Sequence, residues 1–254
     1  MLDIHQFPCL TDNYGVLLRD ATTWAVASID APNAVQVSAA LKARGWVLTE
    51  ILTTHHHGDH TDGNLALKAE TRCRITGPKA EAARIPGIDV QVGGGDTIKF
   101  GALQVKVIDT PGHTAGHIVY WMPDAKVAFA GDTLFAMGCG RVNEGTMQQM
   151  WHSVDAVGKL PPSTILYCGH EYTVSNAKFA ITMEPENEAL ATRLKEVEAL
   201  RAAGKATLPT RVDIELATNP FLRPKSAAIR KRLGLEGAED WQVFAELRER
   251  KNRA

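Results

Sequence analysis

Residues 54–60 read Thr-His-His-His-Gly-Asp-His, and no other stretch restricts the possible folds as much. In extended backbone, side chains two apart point the same way, so His55 and His57 can converge on one point. Gly58 lets the chain turn, after which Asp59 and His60 can meet a second point close to the first. Imidazole and carboxylate donors at this spacing suit zinc, iron or manganese. The competing reading is a tag-like histidine run without purpose. The stretch is internal and follows the apolar strand Glu50–Thr54, which argues against that reading.

Three further segments repeat one pattern: an apolar strand, a loosening glycine, then a metal-capable side chain. Leu103–Ile108 alternates with period two, Asp109-Thr110-Pro111-Gly112 turns, and His113 follows. Lys126–Ala130 leads through Gly131 to Asp132, and Thr164–Cys168 leads through Gly169 to His170. The candidate ligands are therefore His55, His57, Asp59, His60, His113, Asp132 and His170. That is too many for one zinc, which takes about four ligands, or about three plus water when catalytic. It suits a hydrolytic pair of metals ~3.5–4 Å apart. The natural partition gives His55, His57 and His113 to one ion and Asp59, His60 and His170 to the other, with Asp132 bridging. His56 points opposite its neighbours and reads as structural. His117 follows a Pro-Gly turn and sits beside Gly116, so it reads as a hydrogen-bonding residue near the site. His5 and His152 have no motif around them.

The rest of the chain divides in two. Residues 1 to about 30 look β-rich, with apolar runs at Val16–Leu18 and Trp24–Ile29 and a turn or bulge at Asn13-Tyr14-Gly15. A helix is expected over Ala34–Arg44 with Gly45 stopping it, then a strand at Glu50–Thr54, a helix at Asn64–Glu70 and a strand at Arg74–Gly77. Gly93-Gly94-Gly95 reads as a hairpin loop before Thr97–Phe100. Thr146 and Gln149 form a capping box for a helix with Met147, Met150, Trp151, Val154 and Val157 on its core face. Beyond about residue 173 helices dominate: one from Pro185 to Gly204, and a last one capped by Asp240 and bearing Trp241, Phe244 and Leu247. The expectation is an α/β domain at 1–173 and a small helical domain at 174–254, packed together.

Composition narrows the class. Apolar residues are 44%, charged residues 22%, and the formal net charge is −1. Broad nucleic-acid binding is thereby disfavoured, though a local basic patch could hold a small anion. Cys9, Cys73, Cys139 and Cys168 are far apart without a CxxC pair and read as reduced thiols. No signal-like N-terminus or apolar run near ~20 residues is present. A soluble, cytoplasmic monomer with neither nucleic-acid nor membrane partners is expected. The GxSxG elbow of serine hydrolases is absent.

Thr54 to His60 matches the THxHxDH pattern of the metallo-β-lactamase superfamily, which the chain resembles. More narrowly it is similar to the glyoxalase II (hydroxyacylglutathione hydrolase) family. That likeness is carried by Asp12-Asn13-Tyr14, the 110–117 segment Thr-Pro-Gly-His-Thr-Ala-Gly-His, Gly131-Asp132-Thr133-Leu134-Phe135, Gly138-Cys139-Gly140-Arg141, Gly169-His170-Glu171-Tyr172-Thr173 and Asn219-Pro220-Phe221-Leu222-Arg223. The resemblance implies an αββα sandwich with a dinuclear site at its edge, followed by a small all-helical domain that helps hold glutathione. It implies two divalent ions, with zinc expected and iron or manganese also accepted. The implied reaction is hydrolysis of S-(R)-lactoylglutathione to glutathione and D-lactate by a metal-bridging hydroxide, with Asp59 orienting it. Arg141, Tyr172, Arg223 and Lys225 are the implied substrate contacts. Some members carry a tyrosine where this chain has Asn143, so one substrate contact is altered here. Two rivals stand beside this reading: a glutathione persulfide dioxygenase of the same superfamily, which uses a single iron, and a non-catalytic metal- or glutathione-binding protein.

Overall fold

The apolar runs near the N-terminus become strands because β-branched and aromatic residues pack well on a pleated, half-buried surface. In the computed structural model, which describes residues 1–254, they lie in the first of two compact units. That unit comprises Met1–Asp109 and Thr114–Gly131. Its first sheet begins with β1 (Leu2–Cys9), β2 (Asn13–Asp20) and β3 (Val26–Ile29), paired antiparallel. Helix α1 (Ala34–Arg44) ends where Gly45 enters the left-handed region at φ 64°. The chain returns through β4 (Glu50–Leu52), α2 (Gly58–Thr61), α3 (Asn64–Thr71), β5 (Arg74–Pro78) and β6 (Val90–Val92). The pairs β3–β4, β4–β5 and β5–β6 are parallel, as strands joined by crossovers must be.

β7 (Thr97–Phe100), β8 (Leu103–Asp109), β9 (Ile118–Met122) and β10 (Val127–Gly131) then pair antiparallel in a second sheet. Phe7, Leu17, Val37, Leu41, Ile51, Leu67 and Ile75 share one buried cluster with Trp46. The two sheets meet through a polar contact. The buried Tyr120 hydroxyl donates to the Thr53 carbonyl at 2.9 Å, just past the end of β4.

Two expected turns are corrected. The reversal between β1 and β2 is Leu10–Asp12, with Leu10 at φ 51°, while Asn13 already pairs with Cys9. Gly93–Gly95 is not a hairpin, because β6 belongs to the first sheet and β7 to the second. The glycines cross between sheets. Gly93 N–H bonds to the Asp96 carboxylate at 2.8 Å, and a Cβ on Gly94 would lie 2.6 Å from Asp109 Cγ.

Loop 20–25 shows how a buried carboxylate ties this unit together. Asp20, 1% exposed, accepts from Thr22 N–H, Thr23 Oγ1 and Ala102 N–H. Foremost among the causes, the Thr22 N–H bond holds its pKa down to about 2, although burial acts the other way. A depressed folded pKa stabilises above the unfolded value and is lost as pH falls through the folded one. From pH 5 down to pH 2, Asp20→Asn should therefore lose less stability than the parent, by about 2 kcal/mol. Parallel denaturation curves for the two proteins across this range would contradict the assignment.

The second unit comprises Thr110–His113 and Asp132–Ala254. β11 (Leu134–Phe135) and β12 (Gly138–Cys139) form a short hairpin. Helix α4 (Met147–Gly158) starts with the expected capping box, and Met150, Trp151, Val154 and Val157 are buried. β13 (Ile165–Cys168) leads to α5 (Thr173–Met183) and α6 (Glu188–Ala202). β14 (Thr210–Arg211) pairs antiparallel with β13, and α7 (Val212–Thr218), α8 (Ala227–Leu233) and α9 (Asp240–Asn252) complete the unit. Two helix starts differ from expectation. α6 begins at Glu188 and not at Pro185, because Asn187 caps it by accepting from Leu190 N–H. Glu239, not Asp240, caps α9 through a capping box with Gln242. No helix is long and apolar enough to cross a membrane.

Candidate active site

The histidine stretch leaves β4 and is pinned by one residue. Asp30, buried and left-handed at φ 55°, follows β3. Its Oδ1 accepts Thr54 N–H at 2.7 Å, and its Oδ2 accepts Thr54 Oγ1–H at 2.9 Å and His60 Nδ1–H at 2.8 Å. Because the Thr54 hydroxyl proton goes to Asp30, its oxygen accepts from His55 Nδ1 at 3.0 Å. Those bonds set the tautomers, leaving Nε2 of both His55 and His60 as lone-pair donors. His55 Nε2 faces His57 Nδ1 at 3.2 Å. Two ligands of one tetrahedral ion with metal–nitrogen bonds of 2.0–2.1 Å stand about 3.3 Å apart, so this pair fits a shared cation. His60 Nε2 is 3.6 Å from Asp59 Oδ2. Asn13 donates to both the carbonyl and the carboxylate of Asp59, at 3.1 Å each. Asp59 is the open member, with its side chain 41% exposed against 2% for His60.

His56 turns the other way, as expected. Its N–H and Nδ1 both meet Glu81 Oε2, while Glu81 Oε1 accepts Gly116 N–H. His117 is fully buried, its ring 4.7 Å from that of His55 and tilted 27° to it. Gly131 is required beside it, because a Cβ there would lie 2.7 Å from His117 Nε2 at a backbone φ of 48°.

In the second unit His113 Nδ1–H donates to the Arg141 carbonyl at 2.9 Å, which again leaves Nε2 as the donor. His113 Nε2 and His170 Nε2 each lie 3.4 Å from the same Asp132 oxygen, Oδ2. One carboxylate oxygen thus faces two imidazole nitrogens at ligand-edge spacing. All three residues are buried. The donor chemistry and spacing in both units fit divalent metal ions.

His113 and Asp132 also line a cavity of about 520 Å³, within the ordinary range for small-molecule sites. Its other walls carry Phe135, Arg141, Asn143, Tyr172, Arg248 and Lys251. Tyr172 lies flat on His170 at 4.8 Å and edge-on to Phe135. Arg141 and Tyr172, two of the implied substrate contacts, line this cavity, and the altered position, Asn143, faces the same space. Arg223 and Lys225 are not on this cavity. Arg223 is spent on Glu184, with Nε and Nη2 each 2.8 Å from its carboxylate and Nη1 on the Leu216 carbonyl. Lys225 is exposed and lies 3.8 Å from Asp240. The cations present instead are Arg248 and Lys251, which sequence reading missed. Their spacing, three apart near the end of α9, was the available signal. Burial, with Arg248 and Arg141 beside it, lowers the Lys251 pKa. Cys139, also on the wall, is pushed up to about 11 by burial and so stays a thiol.

Comparisons with known proteins identify the family. Residues 12–170 match the family model described as the metallo-beta-lactamase superfamily, and residues 171–254 match that of the hydroxyacylglutathione hydrolase C-terminus. The hydroxyacylglutathione hydrolase of Brucella ovis is 56% identical over 99% of this chain and 98% of its own; that of Brucella abortus is equally similar. Among solved structures, ETHE1 from Myxococcus xanthus is similar at TM-score 0.70 and 25% identity, covering 98% of this chain and 91% of its own. The protein TTHA1623, solved in a di-iron-bound form, is similar in fold at TM-score 0.61 and 19% identity, covering 87% and 100%. The fold class read from the sequence therefore stands: a metallo-β-lactamase domain followed by the hydroxyacylglutathione hydrolase C-terminal domain. The chain belongs to the hydroxyacylglutathione hydrolase family of the metallo-β-lactamase superfamily.

Proposed function

We propose that the protein is a metal-dependent thioester hydrolase that converts S-(R)-lactoylglutathione and water to glutathione and D-lactate. The carrying observation is the cavity on which the donors His113 and Asp132 share space with Arg141, Arg248 and Lys251. A glutathione thioester needs both: cations for its carboxylates and metal donors near its carbonyl. His55, His57 and His113 would hold one ion, Asp59, His60 and His170 the second, and Asp132 both. When bound, such ions activate water and polarise a carbonyl. The chain's own groups do the rest. Asp59, the exposed donor fixed by Asn13, takes and orients the proton of the attacking water. Arg141, Arg248 and Lys251 hold the glutathione carboxylates, and Tyr172 covers His170 against the substrate. The leaving thiolate, of pKa ~8.5, needs little help from an acid.

Residues 1–173 supply the metal donors under this reading, and residues 174–254 supply Arg248 and Lys251. The donors accept zinc, iron or manganese; zinc is the expected ion, and a cytoplasmic monomer is the expected form.

Purified protein should hydrolyse S-(R)-lactoylglutathione with about two metal ions per chain, and chelation or His55→Ala should lower the rate at least ~10³-fold. An inactive, metal-loaded parent, or a His55→Ala variant as fast as the parent, would end the reading. One iron per chain with oxygen uptake on glutathione persulfide would instead favour the dioxygenase.

A further inference from the structure

The hairpin β11–β12 joins Asp132 to Arg141, yet its sequence carries no turn chemistry. Its tip is Ala136-Met137, where tight hairpins favour Asn-Gly or Gly. Met137 nonetheless sits left-handed at φ 53°, a conformation that side-chain-bearing residues rarely adopt. The shape is imposed from outside. Asn176 of α5 donates to the Ala136 carbonyl at 3.1 Å, and Arg248 of α9 donates to the Cys139 carbonyl at 2.8 Å. Asn219 donates to the Phe135 and Gly138 carbonyls at 3.1 and 2.9 Å. Met137 N–H bonds to Glu215 Oε2 of α7 at 2.7 Å, and its side chain packs fully buried among Ala177, Ala180 and Leu190.

Glu215 is the centre of this support. It is fully buried and its carboxylate is saturated. Oε2 accepts from Met137 N–H and from Asn219 Nδ2 at 3.0 Å, while Oε1 accepts from Thr210 Oγ1 at 2.6 Å and pairs with Arg193 Nη2 at 2.8 Å. A carboxylate is the side chain that can accept four such donors, and an amide of the same shape cannot. A buried charge of this kind is a weak source of net stability against apolar packing. Its geometric effect is specific: it fixes the tip of the segment whose far end is Arg141.

We propose that Glu215 is a positioning residue for the substrate cavity, acting through Met137 and Asn219 on the hairpin that places Arg141. The proposal rests on the functional reading above for its ligand, but not for its structural readout. Glu215→Gln and Asn219→Ala are the variants, each checked for native circular dichroism and metal content. Hydrogen exchange of residues 134–141 should accelerate at least ~10-fold in both while that of α4 stays unchanged. The Kd for S-methylglutathione, measured by calorimetry, should rise at least ~5-fold. KM should rise with it by more than kcat falls, because Arg141 lies in the displaced segment, whereas the donor His113 feels it through its Nδ1–H bond to the Arg141 carbonyl. Should Glu215→Gln not fold, Asn219→Ala carries the same readouts. Unchanged exchange in the hairpin of a folded variant overturns the proposal, as does an unchanged Kd. A parent that exchanges slowly in the hairpin but binds no S-methylglutathione overturns the functional reading, and with it the role for the cavity.

Discussion

Asp132→Ala is expected to lower kcat/KM for the thioester at least ~10³-fold, about 4 kcal/mol, and to drop metal content from about two ions per chain to one or none. The reason is the shared oxygen: Asp132 Oδ2 is 3.4 Å from both His113 Nε2 and His170 Nε2. Without it, neither imidazole has an anionic co-ligand in its own unit. Stability should respond with opposite signs in the two metal states. In stripped protein the Asp132 carboxylate is a buried charge, which is costly, so the variant should melt at or above the parent. With metal added, the parent gains stability by binding in the folded state only, so it should melt above the variant. The segment keeps contacts of its own: Thr133 Oγ1 donates to Thr110 Oγ1, and Gly140 N–H bonds to the Thr133 carbonyl. Metal analysis and thermal scans with and without chelator test this. Two metals retained by the variant would remove Asp132 from the ligand set.

The candidate donors stand out in the sequence because their signal is local. A strand, a glycine and a histidine or aspartate stand together in the chain at His113, Asp132 and His170, and α4 announces itself through Thr146 and Gln149. What was not legible depends on which elements the topology brings together. Gly93–Gly95 looks like any glycine turn until β6 and β7 are seen in different sheets. Arg248 and Lys251 lie among the polar positions of α9, which read as solvated surface. Only the path of that helix past Cys139 and Ser175 makes them cavity cations. Arg223 depends on topology in the complementary way. It stands in a specific motif, but the buried Glu184 it neutralises lies 39 positions earlier. Asn13 shows both halves at once: its motif was visible, while its partner Asp59 lies 46 positions away.

Asp30 is the residue with no local signal at all, and Asp30→Asn should cost ~10–100-fold in metal affinity. Asparagine keeps the size and tolerates the left-handed backbone found here at φ 55°, so the change isolates the acceptor chemistry. The native carboxylate accepts from three donors: Thr54 N–H, Thr54 Oγ1–H and His60 Nδ1–H. An amide offers one acceptor oxygen. If that oxygen faces Thr54 N–H, the amide nitrogen faces Thr54 Oγ1 and His60 Nδ1. His60 must then present a lone pair at Nδ1, which moves its proton to Nε2, the nitrogen that would bind metal under the proposed function. Released from Asp30, Thr54 Oγ1 no longer orients His55 by the same route. One substitution therefore disturbs two candidate ligands without touching either. Metal titration against a competing chelator reads the affinity, and nitrogen chemical shifts of His60 in stripped protein read the tautomer. Parent-like affinity, with Nδ1 of His60 still protonated, would show that Asp30 only fills space.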